Sequence, residues 1–205
     1  MQALQFPSLY FLPQMLPSVC VSGHDFSYLK TQNAERRHDL VREFQVTITT
    51  TQNCVFIWRI PNVARRRREA AEERVTSIYS PPFYTGHHGY KMCMRVYLNG
   101  DGSGHTTHLS LFFVLMKGEY DPLLNWPFRS QVSMILVNQN QRKDIVQTIN
   151  PTPDSSSFQR PTTDMNVASG CPHFARLSVL DDTDYVRDDT LYIKCIVDTT
   201  RLFHP

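Results

Sequence analysis

Beyond residue 53 the chain repeats one pattern: short runs of β-branched and aromatic residues, each closed by a cluster of Pro, Gly, Asn or Ser. Runs this short cannot sustain helices of several turns, and their residue types suit a pleated, half-buried backbone. Strands are expected at 55–60, 75–79, 90–98, 109–117, 132–138, 174–180 and 191–197. In the last, Leu191, Ile193, Cys195 and Val197 alternate with Tyr192, Lys194 and Asp198, as a strand with one face on a core requires. Between the strands lie Ser80-Pro81-Pro82, Asn99-Gly100-Asp101-Gly102-Ser103-Gly104, Asn125-Trp126-Pro127 and residues 151–157, all rich in turn formers. Seven or more such strands with little helical pattern specify an all-β antiparallel sandwich. Within this part the one plausible helix is residues 64–74, which read either as a turn of helix or as a solvated loop.

Three parts are therefore expected: an irregular segment at 1–23, a stub at 24–50 and the sandwich at 54–200. Phe26, Leu29, Leu40 and Phe44 trace a helical stripe in the stub, but Asn33 and Arg36 interrupt the heptad seam. It reads either as a short coiled coil or as a single frayed helix. The first segment is apolar like a signal peptide, yet its start carries no Lys or Arg and Pro7, Pro13 and Pro17 break it.

Charge and cysteine usage narrow the function. A net charge of +2 is too small for binding driven mainly by phosphate neutralisation, so nucleic acid is not an expected partner. The run Arg65-Arg66-Arg67-Arg68 reads either as an import or RNA-binding patch or as a solvated face offset by Glu69, Glu72 and Glu73. The longest apolar run, residues 109–116, is far shorter than the ~20 residues a spanning helix needs, so direct membrane insertion is not expected. Five cysteines (Cys20, Cys54, Cys93, Cys171, Cys195) are widely spaced with no Cys-x-x-Cys pair, which suits reduced thiols in a cytoplasmic protein and excludes zinc fingers from these residues.

No catalytic or metal constellation is read from the sequence, and no cofactor is expected. The Gly100–Gly104 stretch lacks the third glycine and the Gly-Lys-Ser/Thr of phosphate loops, so it reads as a hairpin turn. His87, His88, His105 and His108 lack metal-ligand spacing, and no Gly-x-Ser-x-Gly elbow occurs. Ser155-Ser156-Ser157 between prolines reads either as a solvated loop or as a row of neutral donors and acceptors suited to an amide side chain.

Phe83-Tyr84-Thr85-Gly86, Gly89-Tyr90-Lys91-Met92-Cys93, Arg95-Val96-Tyr97-Leu98-Asn99-Gly100-Asp101-Gly102 and Thr107-His108-Leu109-Ser110-Leu111-Phe112-Phe113 together closely resemble the C-terminal domain of the tumour necrosis factor receptor-associated factors. Gly118-Glu119-Tyr120-Asp121, Trp126-Pro127-Phe128, Ser155-Ser156-Ser157-Phe158, Met165-Asn166-Val167-Ala168-Ser169-Gly170-Cys171-Pro172 and Asp188-Asp189-Thr190 follow in the family's order. The resemblance covers residues 55–199. It implies an eight-stranded antiparallel β-sandwich of the meprin-and-TRAF-homology type on a parallel trimeric coiled coil.

The resemblance also implies a signalling adaptor without enzymatic activity. Such an adaptor binds cytoplasmic receptor-tail peptides with Pro-x-Gln-x-x-Asp or other Gln- or Glu-centred motifs and other chains of its family. It regulates NF-kappaB, JNK and apoptosis signalling. The alternative is a substrate-recruiting module of the same class serving a ubiquitin ligase or deubiquitinase. By the same resemblance, Ser155, Ser156 and Ser157 grip the central Gln or Glu, while Arg95 and Tyr97 meet an acid further along. Asp101, beside Gly102 at the adjoining turn, contacts the ligand or orients Arg95. Ser169 and Gly170 line a pocket for a small residue or Pro, floored by Phe112, Met134 and Phe158. The family usually has Phe at the position of Ile149 and Leu at that of Met134, so the pocket departs from its pattern there. It also has Gly where this chain has Cys54, and a positive φ at that position would cost Cys roughly 1 to 2 kcal/mol.

Overall fold

The computed structural model describes residues 53–200; the expected irregular segment, the helical stub and Cys20 lie outside the described residues. Two antiparallel sheets face each other. The first orders its strands β1 (Asn53–Pro61), β9 (Thr190–Asp198), β6 (Val132–Leu136) and β7 (Ile145–Ile149). The second orders β2 (Ile78–Tyr79), β4 (Lys91–Tyr97), β5 (His108–Met116) and β8 (Ser169–Arg176), with β3 (Phe83–Tyr84) also paired to β4. Among the described residues there are thus nine strands; β2 and β3, split by Pro81 and Pro82, count as one interrupted edge, which recovers the expected eight.

Alternation decides which face is buried. On β4, Met92, Met94 and Val96 are fully buried, and on β5 Leu109, Leu111, Phe113 and Leu115 join them. The facing sheet contributes Val132, Met134, Leu136, Leu191, Ile193, Cys195 and Val197. Each fully buried aliphatic side chain stabilises the fold by about 1.5 to 3 kcal/mol, so this interleaved layer dominates the energetics. Tyr90 is enclosed among Trp126 and Phe128, and its hydroxyl donates to the Asn125 carbonyl. The Trp126–Pro127 bond is cis.

Helix α1 (Val63–Ala71) buries only Val63 and Ala70. Asn62 at its start supplies no side-chain cap; the Val63 and Ala64 N–H groups donate instead to the carbonyl and carboxylate of Asp189. The arginine run lies on this helix as a polar face. Arg65 pairs with Glu69 one turn on, Arg67 with Asp181 at 2.6 Å, and Arg66 donates to the Pro61 carbonyl.

Several expectations need correction. The run expected at 75–79 is extended only over β2, because the Arg74 and Val75 N–H groups turn back to the Glu69 carbonyl. The strand expected at 174–180 begins earlier, at Ser169, and ends at Arg176. Leu177–Asp181 is a 3-10 turn in which consecutive residues Val179 and Leu180 are both buried, which strand alternation forbids. Gly170 and Pro172 hid the first half of β8, and its pairing to β5 carries an irregularity between Leu109 and Leu111. Strands β3 and β7 were not expected; Gln147 and Thr148 disguise β7 as loop. Cys54 sits in regular β1 opposite Val197 and is absent from the left-handed residues, so the expected strain does not arise.

Candidate functional site

Strand β8 ends the second sheet, leaving a free edge, and β7 ends the first; the two edges lie near one another on the same side of the sandwich. Tyr79, Arg95, Phe112 and Gly170 stand opposite one another in successive strands, so they form one row on the outer face of the second sheet. Residues one position away face inward: Met94, Phe113 and Ser169 form the neighbouring row, and the Phe113 and Phe158 rings stack at 6.1 Å.

Gly170 lets the outer row close up. A Cβ there would sit 2.2 Å from the Leu111 carbonyl oxygen and 2.9 Å from the Phe112 ring, so the ring covers the strand at this point. Phe112 stays half-buried and meets Tyr97 edge-on at 5.7 Å.

The Arg95 guanidinium lies between two tyrosine rings, 5.0 Å from the Tyr79 centroid and 4.7 Å from that of Tyr97. Its Nε donates to Ser77 Oγ at 3.1 Å. Ring faces attract the cation and the hydrogen bond fixes its rotation, so the charge is held ready before any ligand arrives. Among the described residues no ion pair joins Arg95 to Asp101; Ser77, Tyr79 and Tyr97 orient the guanidinium. Burial pushes the Tyr97 hydroxyl's pKa up, with Asp101 and Tyr79 acting in the same direction and Arg95 and Ser77 opposing.

The β4–β5 turn places Asp101 beside this row. Gly100 has φ +78°, and a Cβ there would sit 2.1 Å from the Gly104 carbonyl oxygen, which confirms the hairpin reading of these glycines. The Asp101 N–H donates to Ser110 Oγ at 2.9 Å, and Ser110 Oγ donates to the Pro172 carbonyl at 2.6 Å. Fully buried Ser110 thus braces the turn against β8. Gly102 opens the 3-10 turn Gly102–Gly104 and borders a depression of about 240 Å³ that also reaches Arg95 and Tyr97.

Ser156–Phe158 is a 3-10 turn capped by Ser155, whose Oγ accepts from the Ser157 N–H at 3.3 Å. The Ser156 and Ser157 hydroxyls bond no described residue. Asn166 ties this turn to the sheet: its side-chain amide donates to the Ser157 and Gln159 carbonyls, and its N–H donates to the Leu115 carbonyl. The three serines therefore stand at the β8 side of the sheet, as a built turn.

Arg95, Tyr97, Phe112 and Gly170 are thus brought together, with Asp101 and Gly102 at one end. Ser169 faces inward at the start of β8, and Ile149 is on the inner side of β7, opposite Val132. Met134 (0% exposed) and Phe158 (4%) lie within the core, whereas Phe112 belongs to the outer row, so the expected shared floor of the three is divided between the two faces of the sheet. Ser77, Tyr79, Ser110 and Asn166 were not singled out from the sequence. Of these only Ser110, a polar residue inside an apolar run, left a local signal.

Among the described residues no helix is long and apolar enough to cross a membrane, and no group of three or more His, Cys, Asp or Glu could hold a metal ion. Cys54, Cys93, Cys171 and Cys195 are free thiols.

Comparison with known proteins bears on the fold and the family. The family description TRAF/meprin, MATH domain, matches residues 75–194. TNF receptor-associated factor 2 of Homo sapiens is 52% identical over 165 residues, covering 80% of this chain and 33% of the relative. TNF receptor-associated factor 1 of Homo sapiens is 54% identical over 147 residues, 71% of this chain and 35% of the relative. The chain therefore spans about a third of the length of these curated relatives. A solved structure of Notothenia coriiceps TRAF5 superposes with a TM-score of 0.69 at 35% identity, covering 84% of this chain and 92% of that one. With more than half its length matched by the family description and half its aligned positions shared with these relatives, the chain belongs to the TRAF/meprin MATH domain family.

Proposed function

We propose that this chain is a cytoplasmic signalling adaptor that binds short linear motifs in receptor tails, with no covalent chemistry of its own. The observation that carries this reading is the register-aligned row of Arg95, Phe112 and Gly170 beside the free edge of β8. A strand laid along such an edge gains backbone hydrogen bonds, and side-chain sites on either hand give selectivity. Ser156 and Ser157 offer unengaged hydroxyls to a Gln or Glu, which suits a polar side chain of either charge state. The preorganised Arg95 then receives an acid further along. Ile149 and Ser169, on neighbouring edge strands of the two sheets, take the small residue or Pro. The names of the relatives, TNF receptor-associated factors, support receptor tails as the source of the motif.

Single contacts of this kind are weak. A charge-assisted hydrogen bond contributes about 1.5 to 3 kcal/mol, whereas joint engagement of several tails by a trimer would raise apparent affinity by roughly 10² to 10⁴. Recruitment then reports receptor clustering. Calorimetric titration with a Pro-x-Gln-x-x-Asp peptide tests the reading. Saturable binding that Arg95→Ala weakens more for the Asp peptide than for its Ala counterpart is expected. No binding, or an equal loss for both peptides, would overturn it.

A further inference from the structure

One hydroxyl beside the peptide row is partly open to solvent and tied to the guanidinium that the ligand needs. Ser77 lies between α1 and β2, in a stretch where residues 72–76 are exposed and Ser77 itself is half-buried. The strand that follows, β2, has only two residues and ends the second sheet. Edge pairing this short opens at little cost, so residues 74–77 can be drawn out as an extended segment. Arg74 stands three residues before Ser77, exposed and paired with equally exposed Glu72. Such a surface pair contributes little and is readily exchanged for another acidic partner. An Arg placed three positions ahead of a serine in an extendable surface segment is the charge pattern that kinases with acidic substrate grooves read.

What the hydroxyl touches gives its modification a consequence. Ser77 Oγ accepts from Arg95 Nε at 3.1 Å and also acts on the Tyr97 hydroxyl as a hydrogen-bonding partner. A phosphate on this oxygen carries about −1.5 to −2 charge at pH 7 and three strong acceptor oxygens, where the hydroxyl carries no charge. The depression of about 240 Å³ that Thr76, Arg95 and Tyr97 border gives the group room in front of the guanidinium. We propose that Ser77 is a phosphorylation site for a basophilic Ser/Thr kinase, and that its phosphate occupies Arg95 and shuts out the acid of an incoming receptor tail.

This inference rests on the peptide-binding reading above and adds its regulation. In the step, the γ-phosphoryl group of ATP moves to Ser77 Oγ: its bond to the β-phosphate oxygen breaks, the P–Oγ bond forms, the hydroxyl proton passes to the kinase's base and ADP leaves. A phosphatase reverses the state with water and releases inorganic phosphate. Two effects then oppose a ligand carboxylate. The Arg95 N–H donors are already engaged within the chain, and the phosphate charge repels a second anion at the same place. An uncharged side chain at that ligand position meets neither effect, and the serine turn on the β8 side of the sheet is untouched. The modification therefore selects among tails instead of abolishing all binding.

The test has two arms. In the first, the native chain is treated with magnesium ATP and the catalytic domain of a calmodulin-dependent kinase, and mass spectrometry locates the phosphate. Label on Ser77 that is missing from Ser77→Ala is expected; no label, or label confined to Thr76 or to other residues, would overturn the site. In the second, phosphoserine is introduced at residue 77 during translation, so that the readout does not depend on kinase yield, and a melting curve checks the fold. By fluorescence anisotropy, a Gln-centred peptide with Asp at the Arg95 position should bind the phosphorylated chain about tenfold or more weakly than the unmodified chain, the size of a lost charge-assisted hydrogen bond. Its Ala counterpart should change by less than about twofold. An undiminished Asp peptide, equal losses for both peptides or a collapsed melting curve would overturn the regulation while leaving the peptide reading intact. Failure of both peptides to bind the unmodified chain would overturn that reading and the regulation with it.

Discussion

Replacing Tyr79 by alanine tests whether Arg95 is held ready or merely present. Tyr79 is 45% exposed and its ring lies 5.0 Å from the guanidinium carbon, within the ~6 Å over which a ring face attracts a cation. At such an exposed site the attraction contributes about 0.5 to 1 kcal/mol. Tyr97 at 4.7 Å and the Ser77 hydrogen bond remain, so the guanidinium loses one of three restraints. Ordering it again on binding should cost about 0.5 to 1 kcal/mol, a twofold to fivefold loss of affinity. The loss should appear for a peptide with Asp at the Arg95 position and be absent, within about 1.5-fold, for its Ala counterpart. Tyr79→Phe keeps the ring face and should restore native affinity. Anisotropy titration of both peptides against the three proteins provides the measurement, with melting curves as control. Because Tyr79 pairs across strands with Arg95, alanine should also cost about 0.2 to 1 kcal/mol of stability, roughly 1 to 4 °C in a body of this size. Equal losses for the two peptides, or a Phe variant as weak as Ala, would refute the reasoning.

Changing Ser155, Ser156 and Ser157 together to Ala should abolish binding of a Gln-centred peptide, checked by calorimetry, while lost capping by Ser155 costs about 0.5 to 1 kcal/mol in denaturant melts. Gly170→Ala must move a new Cβ off the Leu111 carbonyl now 2.2 Å away. The β5–β8 ladder should part locally, at a cost of about 1 to 3 kcal/mol, with a drop in Tm of several degrees; an unchanged Tm would contradict the close approach. Burial pushes the Cys93 thiol up to about 11 despite the opposing Arg95, and raises Cys195 as well. Both are neutral in the fold where the unfolded chain's thiols ionise, so stability present below about pH 9 should decline as the pH climbs toward 11. Iodoacetamide at pH 8 should label neither thiol in the folded chain, and mass spectrometry reads the outcome.

Most strand positions could be read because alternation is a local property. The pattern Leu191, Ile193, Cys195, Val197 needs no partner to be seen, and the structure buries all four. Where alternation breaks, the reading failed. Gly170 and Pro172 erased the first half of β8, and Leu177–Asp181 imitated a strand while forming a 3-10 turn. The serine turn and the Arg95–Tyr97 pair were legible through contiguous family motifs, and their placement followed.

The residues that make Arg95 usable were not legible. Ser77 and Tyr79 reach it from another strand through pairing of Ile78 with Val96 and Tyr79 with Arg95. Helix α1 likewise takes its cap from Asp189, which no rule of nearby spacing could supply. The sequence alone determined the all-β class, the turns and the family motifs, since these depend on neighbours along the chain. Only the tertiary structure decided which side chains flank the guanidinium and which serine braces the hairpin. Strand register brings together residues distant in sequence, and the packing of the whole core sets that register.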